Sequence, residues 1–199
     1  LGMLEIGLSL IEPMYKEQFE HPEVLKLIKS RDHVKYDVVI VEYLTYFPWF
    51  AIAEWFDAPL IGITSLDTMT ELHEALGNSA NPIVHPDLLF PFIENLTFKQ
   101  RYRSLRYYFW YNFYYTPKIQ PIVENIIEQY MPGLKTPFKD LKGKAELLMT
   151  NTHPALGFIR PIVPSTIQLG FMHIKPPKPI TEVALKNYLE NSDKPIIYM

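Results

Sequence analysis

The chain has 199 residues, 48% of them hydrophobic, a formal net charge of -3 and no cysteine. That length and apolar content suit one domain with a sizeable core, or one and a fraction, and the mild charge argues against a polyanion partner such as nucleic acid. The absence of thiols excludes disulfide scaffolds, thiolate metal sites and cysteine nucleophiles, and no run approaches the ~18 to 20 apolar residues of a membrane-spanning helix.

Taken in order, the chain opens on Leu1 with no signal-peptide pattern. Glu23 to Lys29 then reads as a helix, with Val24, Leu27 and Ile28 on one face. Tyr36 to Val41 carries a β-branched run without polar alternation, the pattern of a parallel strand buried on both faces. Phe47 to Phe56 has helical spacing, with Pro48 in its first turn, and Ala58 to Ile63 repeats the strand pattern, so the three form a βαβ unit. Asn95-Leu96-Thr97 is a glycosylation sequon in a polar turn.

From Phe98 to Tyr130 the pattern is helical, and Thr116-Pro117 is expected to divide it into two helices, because proline disfavours a helical predecessor. Phe98, Tyr102, Leu105, Phe109 and Phe113 share one face, which reads as the core-facing one. Ala145 to Met149 and Thr166 to Phe171 follow as short strands. The proline-dense stretch from Ile174 to Ile180 is expected to be an extended linker, and Pro195 to Met199 an apolar strand. That closing strand, with a start that lacks an initiator Met, leads us to expect further sequence at both ends.

Glu42 ends the first strand at its carboxyl side, where open α/β sheets place their sites. A carboxylate there can fix a histidine tautomer and stabilise imidazolium; it can equally be a solvated strand-end acid or a helix-cap partner. None of the six histidines has the i, i+4 pairing of a metal helix, and no Gly-x-Ser-x-Gly elbow or Gly-rich phosphate loop occurs. Residues 99–115 interleave Lys99, Arg101, Arg103 and Arg106 with nine aromatic residues. Such a mixture fits a membrane interface, an acceptor pocket or a protein contact.

Tyr36-Asp37-Val38-Val39-Ile40-Val41-Glu42, Pro48 and Ala58-Pro59-Leu60-Ile61 resemble the acceptor-domain segment of the animal UDP-glycosyltransferases. Met131-Pro132-Gly133, Asn151-Thr152-His153-Pro154, Gln168 to His173 and Lys175-Pro176-Pro177-Lys178-Pro179 continue the resemblance in order, and the insect branch fits best. The resemblance implies a Rossmann-like α/β fold, a parallel sheet with flanking helices, as one half of a two-domain glycosyltransferase-B architecture. In that reading residues 1–173 are a partial acceptor-binding domain, 174–194 the interdomain linker, and 195–199 the start of a UDP-sugar-binding domain.

The activity implied is inverting transfer of a hexosyl group from UDP-glucose or UDP-glucuronic acid to a small lipophilic acceptor, a detoxification-type conjugation, with the chain inactive alone. UDP-sugar is then a co-substrate, no separate cofactor or metal is needed, and donor contacts lie beyond Met199. By resemblance Glu42 orients a base histidine that precedes Leu1; many relatives carry the shorter aspartate there. Tyr43, Ser65, Met69 and Phe90 are the expected acceptor wall, being neighbours of strand ends. The family further implies the lumenal side of the endoplasmic reticulum membrane, which agrees with the Asn95 sequon as a glycosylation site and with residues 99–115 meeting a membrane surface. The alternative is a non-catalytic lipophile-binding or membrane-contact module on the same half-fold.

Overall fold

The computed structural model describes residues 2–155, 159–192 and 195–196. Helices α1 (Gly2–Glu20) and α2 (Pro22–Lys29) precede strand β1 (Val39–Glu42), helix α3 (Phe47–Trp55) and strand β2 (Leu60–Thr64). Helices α4 (Thr70–Ala75) and α5 (Phe98–Trp110), a π-helical turn (Tyr111–Tyr115), and helices α6 (Thr116–Tyr130) and α7 (Phe138–Leu141) then lead to β3 (Ala145–Thr150), β4 (Thr166–Gln168) and α8 (Val183–Glu190). The strands form one four-stranded parallel sheet in sequential order. Parallel neighbours need crossovers, and α3 supplies the one between β1 and β2, as the spacing of strand, helix and strand predicts.

The register decides which side chains share a face. Val41 pairs with Gly62, Gly62 with Leu148 and Leu148 with Thr166, and this row faces the core formed with α1, α3 and α6. The alternate row, Ile40, Ile61, Leu147 and the Ile63–Met149 pair, lies on the opposite face. That second face is half-open: Ile40 is 60% exposed, and none of this row belongs to the core cluster. The expectation that the first strand is buried on both faces is therefore corrected. Its apolar run belongs to the sheet's edge, and among the described residues the helices bury only one side of it.

Two expectations about residues 98–130 are also corrected. The helical path does not break at Pro117; it widens into the π turn just before it and continues as α6. A π turn already forgoes the regular i to i−4 ladder, so a residue lacking an N–H is accommodated there without a kink elsewhere. The face carrying Phe98, Tyr102, Phe109 and Phe113 points outward, with Phe98 at 86% and Phe113 at 77% exposure. Facing inward instead are Tyr107, Tyr111, Tyr115, Ile119 and Val123, spaced by four. Such a spacing drifts off one face of a 3.6-residue helix, and the π turn's extra residue resets the drift.

The expected linker begins as an extended, exposed stretch through residue 182, and α8 follows with no buried residue. Of the strand expected at 195–199, residues 197–199 lie outside the described residues.

Tyr43 closes this fold locally. Its ring stacks on Phe50 at 4.2 Å, its hydroxyl donates to Lys142 O at 2.7 Å, and a Cβ added to Gly62 would lie 2.7 Å from its Cγ. With Tyr43 held from both ends it has no room to yield. We expect Gly62→Ala to cost about 1–3 kcal/mol of stability, measured as a lowered denaturant midpoint; an unchanged midpoint would show that the ring is free to move.

Candidate functional site

The carboxyl ends of the strands frame a cleft of about 360 Å³. Ser65, Leu66 and Asp67 reach it from β2, Asn151, Thr152 and His153 from β3, and Gly170, Phe171 and His173 from the segment after β4. This is the position that an open parallel sheet leaves for ligands, because the loops there leave the sheet on the same side. Asn151 ties the walls together. Its backbone N–H donates to Thr64 O and Leu66 O, its Nδ2 donates to Ser65 O at 3.0 Å, and its Oδ1 accepts from the Met172 N–H at 3.0 Å. Gly170 has φ +55°, and a Cβ there would come within 3.0 Å of the His153 Cβ, so a side chain would push that wall open.

Glu42 does not itself line the cleft but is joined to it through Ser65, whose Oγ donates to its Oε1 at 3.3 Å. The structure thus brings together Glu42 and Ser65, two of the residues singled out from the sequence. The other wall residues are placed elsewhere, and these are corrections. Tyr43 has no exposed surface, because successive side chains of a strand point to opposite faces and Tyr43 shares the core-facing row with Val41. Met69 is buried where α4 begins. Phe90 stacks on Phe92 and meets Tyr107 edge-on at 5.2 Å, so it packs against α5, and Leu88 of the same loop lines the cleft in its place. Asn95 is exposed in a left-handed turn (φ +51°), and Thr97 of its sequon caps α5 by accepting from the Gln100 N–H.

Behind the cleft lies a buried polar network that sequence reasoning missed. His73 Nε2 is 2.9 Å from Asp67 Oδ1, and Asn78 Nδ2 is 3.2 Å from His73 Nδ1. The Asn78 amide is fixed by donating to Thr166 Oγ1 at 2.8 Å while its Oδ1 accepts from the Val163 N–H at 2.8 Å. Its Nδ2 therefore donates to His73 Nδ1, and the imidazole proton resides on Nε2, aimed at Asp67. Burial alone would raise the Asp67 pKa. The hydrogen bond from His73, the Arg160 guanidinium at 3.6 Å and the Thr68 N–H outweigh burial and hold it below the ordinary carboxylate range.

This carboxylate–histidine pair has the chemistry of a catalytic relay, but His73 is 1% exposed and its ring nitrogens are both engaged, so it joins walls and reaches no ligand. The available signal was Asp67-Thr68-Met69-Thr70-Glu71-Leu72-His73, a polar-rich run directly after a buried strand. Among the described residues no group of three or more His, Cys, Asp or Glu side chains is placed to hold a metal ion. No helix among them is long and apolar enough to cross a membrane.

A sequential parallel sheet with flanking helices and a cleft across its strand ends defines a Rossmann-like α/β protein. No family model matches the chain. Curated proteins do. The chain is 29% identical over 199 residues to the ecdysteroid UDP-glucosyltransferase of Spodoptera littoralis nuclear polyhedrosis virus, covering 94% of this chain and 36% of that protein. It is 23% identical over 181 residues to the UDP-glycosyltransferase UGT4 of Dactylopius coccus, covering 89% and 35%. It is 29% identical over 162 residues to the UDP-glucuronosyltransferase 3A1 of Bos taurus, covering 78% and 29%. The chain is thus similar to UDP-glycosyltransferases along nearly its whole length, and it spans about a third of the length of the proteins it matches.

Because Asn78 serves His73, Thr166 and Val163 at once, we expect Asn78→Ala to leave several buried groups unpaired and to cost about 2–4 kcal/mol. Urea unfolding monitored by tryptophan fluorescence measures this; a loss no larger than that of an exposed polar residue would contradict the network.

Proposed function

We propose that this chain forms the acceptor-binding part of an inverting UDP-glycosyltransferase, one that moves a hexosyl group from UDP-glucose or UDP-glucuronic acid to a small lipophilic molecule. The observation that carries this reading is Glu42 at the end of β1, hydrogen-bonded by Ser65, which lines the strand-end cleft. The proteins named above support it, and the viral one is named for ecdysteroids. Activity belongs, in this reading, to the intact protein, with donor contacts outside residues 1–199.

Glu42 accepts a hydrogen bond from the Nδ1–H of a base histidine supplied from outside these 199 residues. That leaves Nε2 free to take the acceptor's hydroxyl proton. The resulting oxygen nucleophile attacks the anomeric carbon as the bond to the UDP oxygen breaks, and UDP leaves with the electron pair. Imidazolium, formed as the proton arrives, is stabilised by the Glu42 charge. Ser65 steadies the carboxylate, and Leu66, Leu88 and Phe171 supply apolar wall for the acceptor.

The same reading places the domain on the lumenal side of the endoplasmic reticulum membrane, with Asn95, exposed ahead of α5, carrying a glycan. The outward aromatic face of α5 and the π turn favours a membrane contact, whether or not the chain takes part in catalysis. Phe98, Tyr102, Phe109 and Phe113 stand exposed there, with the exposed Arg106 four residues after Tyr102, so rings can enter the headgroup region while a guanidinium meets phosphate. A lipophile-binding or membrane-contact module without catalysis would share this face.

In the full-length protein, Glu42→Ala is expected to slow glycosyl transfer by roughly 10³ to 10⁴-fold, or ~4–5.5 kcal/mol of barrier, as judged from the loss of comparable orienting carboxylates. Undiminished turnover by a folded variant would remove Glu42 from the reaction. Phe98→Ser combined with Phe113→Ser should reduce flotation with anionic liposomes several-fold while leaving the melting temperature in place; equal flotation would mean that the aromatic face meets something other than lipid.

A further inference from the structure

Between α4, α5 and the loop before α5 lies a small cavity of about 10 Å³, close to what a single water molecule requires. It is bounded by Thr70 and Glu71 of α4, Ser104 and Tyr107 of α5, and Asp87 of the loop. Thr70 Oγ1, Ser104 Oγ, Tyr107 OH and Glu71 Oε1 are all buried, and none has a hydrogen-bond partner in the protein. Asp87 is already used, its oxygens accepting from the Thr70 and Leu89 N–H groups at 2.9 and 3.0 Å. We propose that this cavity is a binding site for one internal water, which Glu71 shares with Thr70, Ser104 and Tyr107 and which joins α4 to α5.

Donor and acceptor arithmetic selects water over a cation. Three hydroxyls need acceptors, and the only unpaired acceptor besides their own oxygens is Glu71 Oε1. Water accepts from two of the hydroxyls and donates to Glu71 Oε1 and to the third hydroxyl's oxygen, while that third O–H donates to the second lone pair of Glu71 Oε1, which closes the count. A bare cation would take lone pairs and leave the O–H hydrogens without acceptors. The cavity admits one such molecule and no hydrated ion.

The water has a consequence for the cleft, because α4 follows directly from Ser65-Leu66-Asp67, which lines it. Its partner Glu71 is faced by Asp87 from the loop, Tyr107 from α5, Tyr111 and Tyr115 from the π turn, and Lys142 after α7. Burial first, and the Asp87 charge second, push the Glu71 carboxyl up to about 7, against bonds from Tyr111 and its own backbone that lower it. A carboxyl raised on folding binds its proton more tightly in the native state. Its stabilising contribution is therefore complete below the unfolded value near 4.5 and lost as pH rises through about 7.

A crystal structure of the full-length protein, at a resolution that shows other internal waters, tests the site directly. We expect one density peak within hydrogen-bond distance of all four atoms; an empty cavity would overturn the proposal, and so would an anomalous signal there after exchange into rubidium. Melting curves at several pH values between 5 and 8 test the partner. Wild type should lose several degrees across that range and Glu71→Gln, which keeps an acceptor oxygen but cannot ionise, should not. Parallel curves would overturn Glu71 as the group that shares the water.

Discussion

The fold around the cleft depends on one close contact, the Tyr43 ring lying flat over Gly62. No residue with a Cβ fits at position 62 while that ring is in place, and the ring is held by Phe50 on one side and the Lys142 carbonyl at its end. The contact locks the end of β1 onto β2. Because strand side chains alternate, fixing Tyr43 in the core fixes Glu42 on the other face, beside Ser65 and the cleft. A one-residue slip would bury a carboxylate under the helices and expose a tyrosine, and the cost of an unpaired buried charge makes that register prohibitive.

The same economy of placement governs the polar interior. Asp67, His73, Asn78 and Thr166 lie within a largely apolar body, yet each polar atom in that chain of bonds has a partner, so the network joins the segment after β2 to the segment before β4 without leaving an orphan. The region around Glu71 differs in kind. Several hydroxyls and a carboxylate converge there without protein partners, and the π turn brings Tyr111 to the same carboxylate. The walls of the cleft therefore rest on a satisfied network on one side and on a cavity needing one more hydrogen-bonding molecule on the other.

The sheet was legible because short β-branched runs at Val38–Val41 and Ala58–Ile63 have few other uses, and the resemblance to UDP-glycosyltransferases followed from the order of weak motifs along the chain. Glu42 and Ser65 were legible for the same reason: one ends a strand and the other directly follows one, and a parallel sheet sends all such ends to one side. Tyr43 was misplaced because proximity to a strand end does not say which face a side chain takes; counting the alternation from Val41 would have done so. Nothing local distinguishes the outward stripe of Phe98 and Phe113 from a core stripe, since both have helical spacing and aromatic rings. Tertiary contacts decided it, through the tyrosines that stack inward at 5.9 and 4.8 Å between Tyr107, Tyr111 and Tyr115.

That reversal bears on how one helical segment can serve two purposes. Tyr111 bonds Glu71 in the polar interior while Tyr107 and Tyr115 are buried beside it, so the segment is anchored by burial and by that one bond together. Anchored in that way, it can leave large rings such as Phe98 and Phe113 outside without loosening, a placement that the hydrophobic effect alone would oppose. Exposed rings on a firmly held helix favour contact with another apolar phase, because covering them recovers the free energy that their exposure to water costs and requires no rearrangement of the helix beneath. Since α5 packs through Ser104 and Tyr107 against the cavity beside α4, and α4 leads out of the cleft, a contact on that outer face would bear on a helix only one layer removed from the candidate acceptor site.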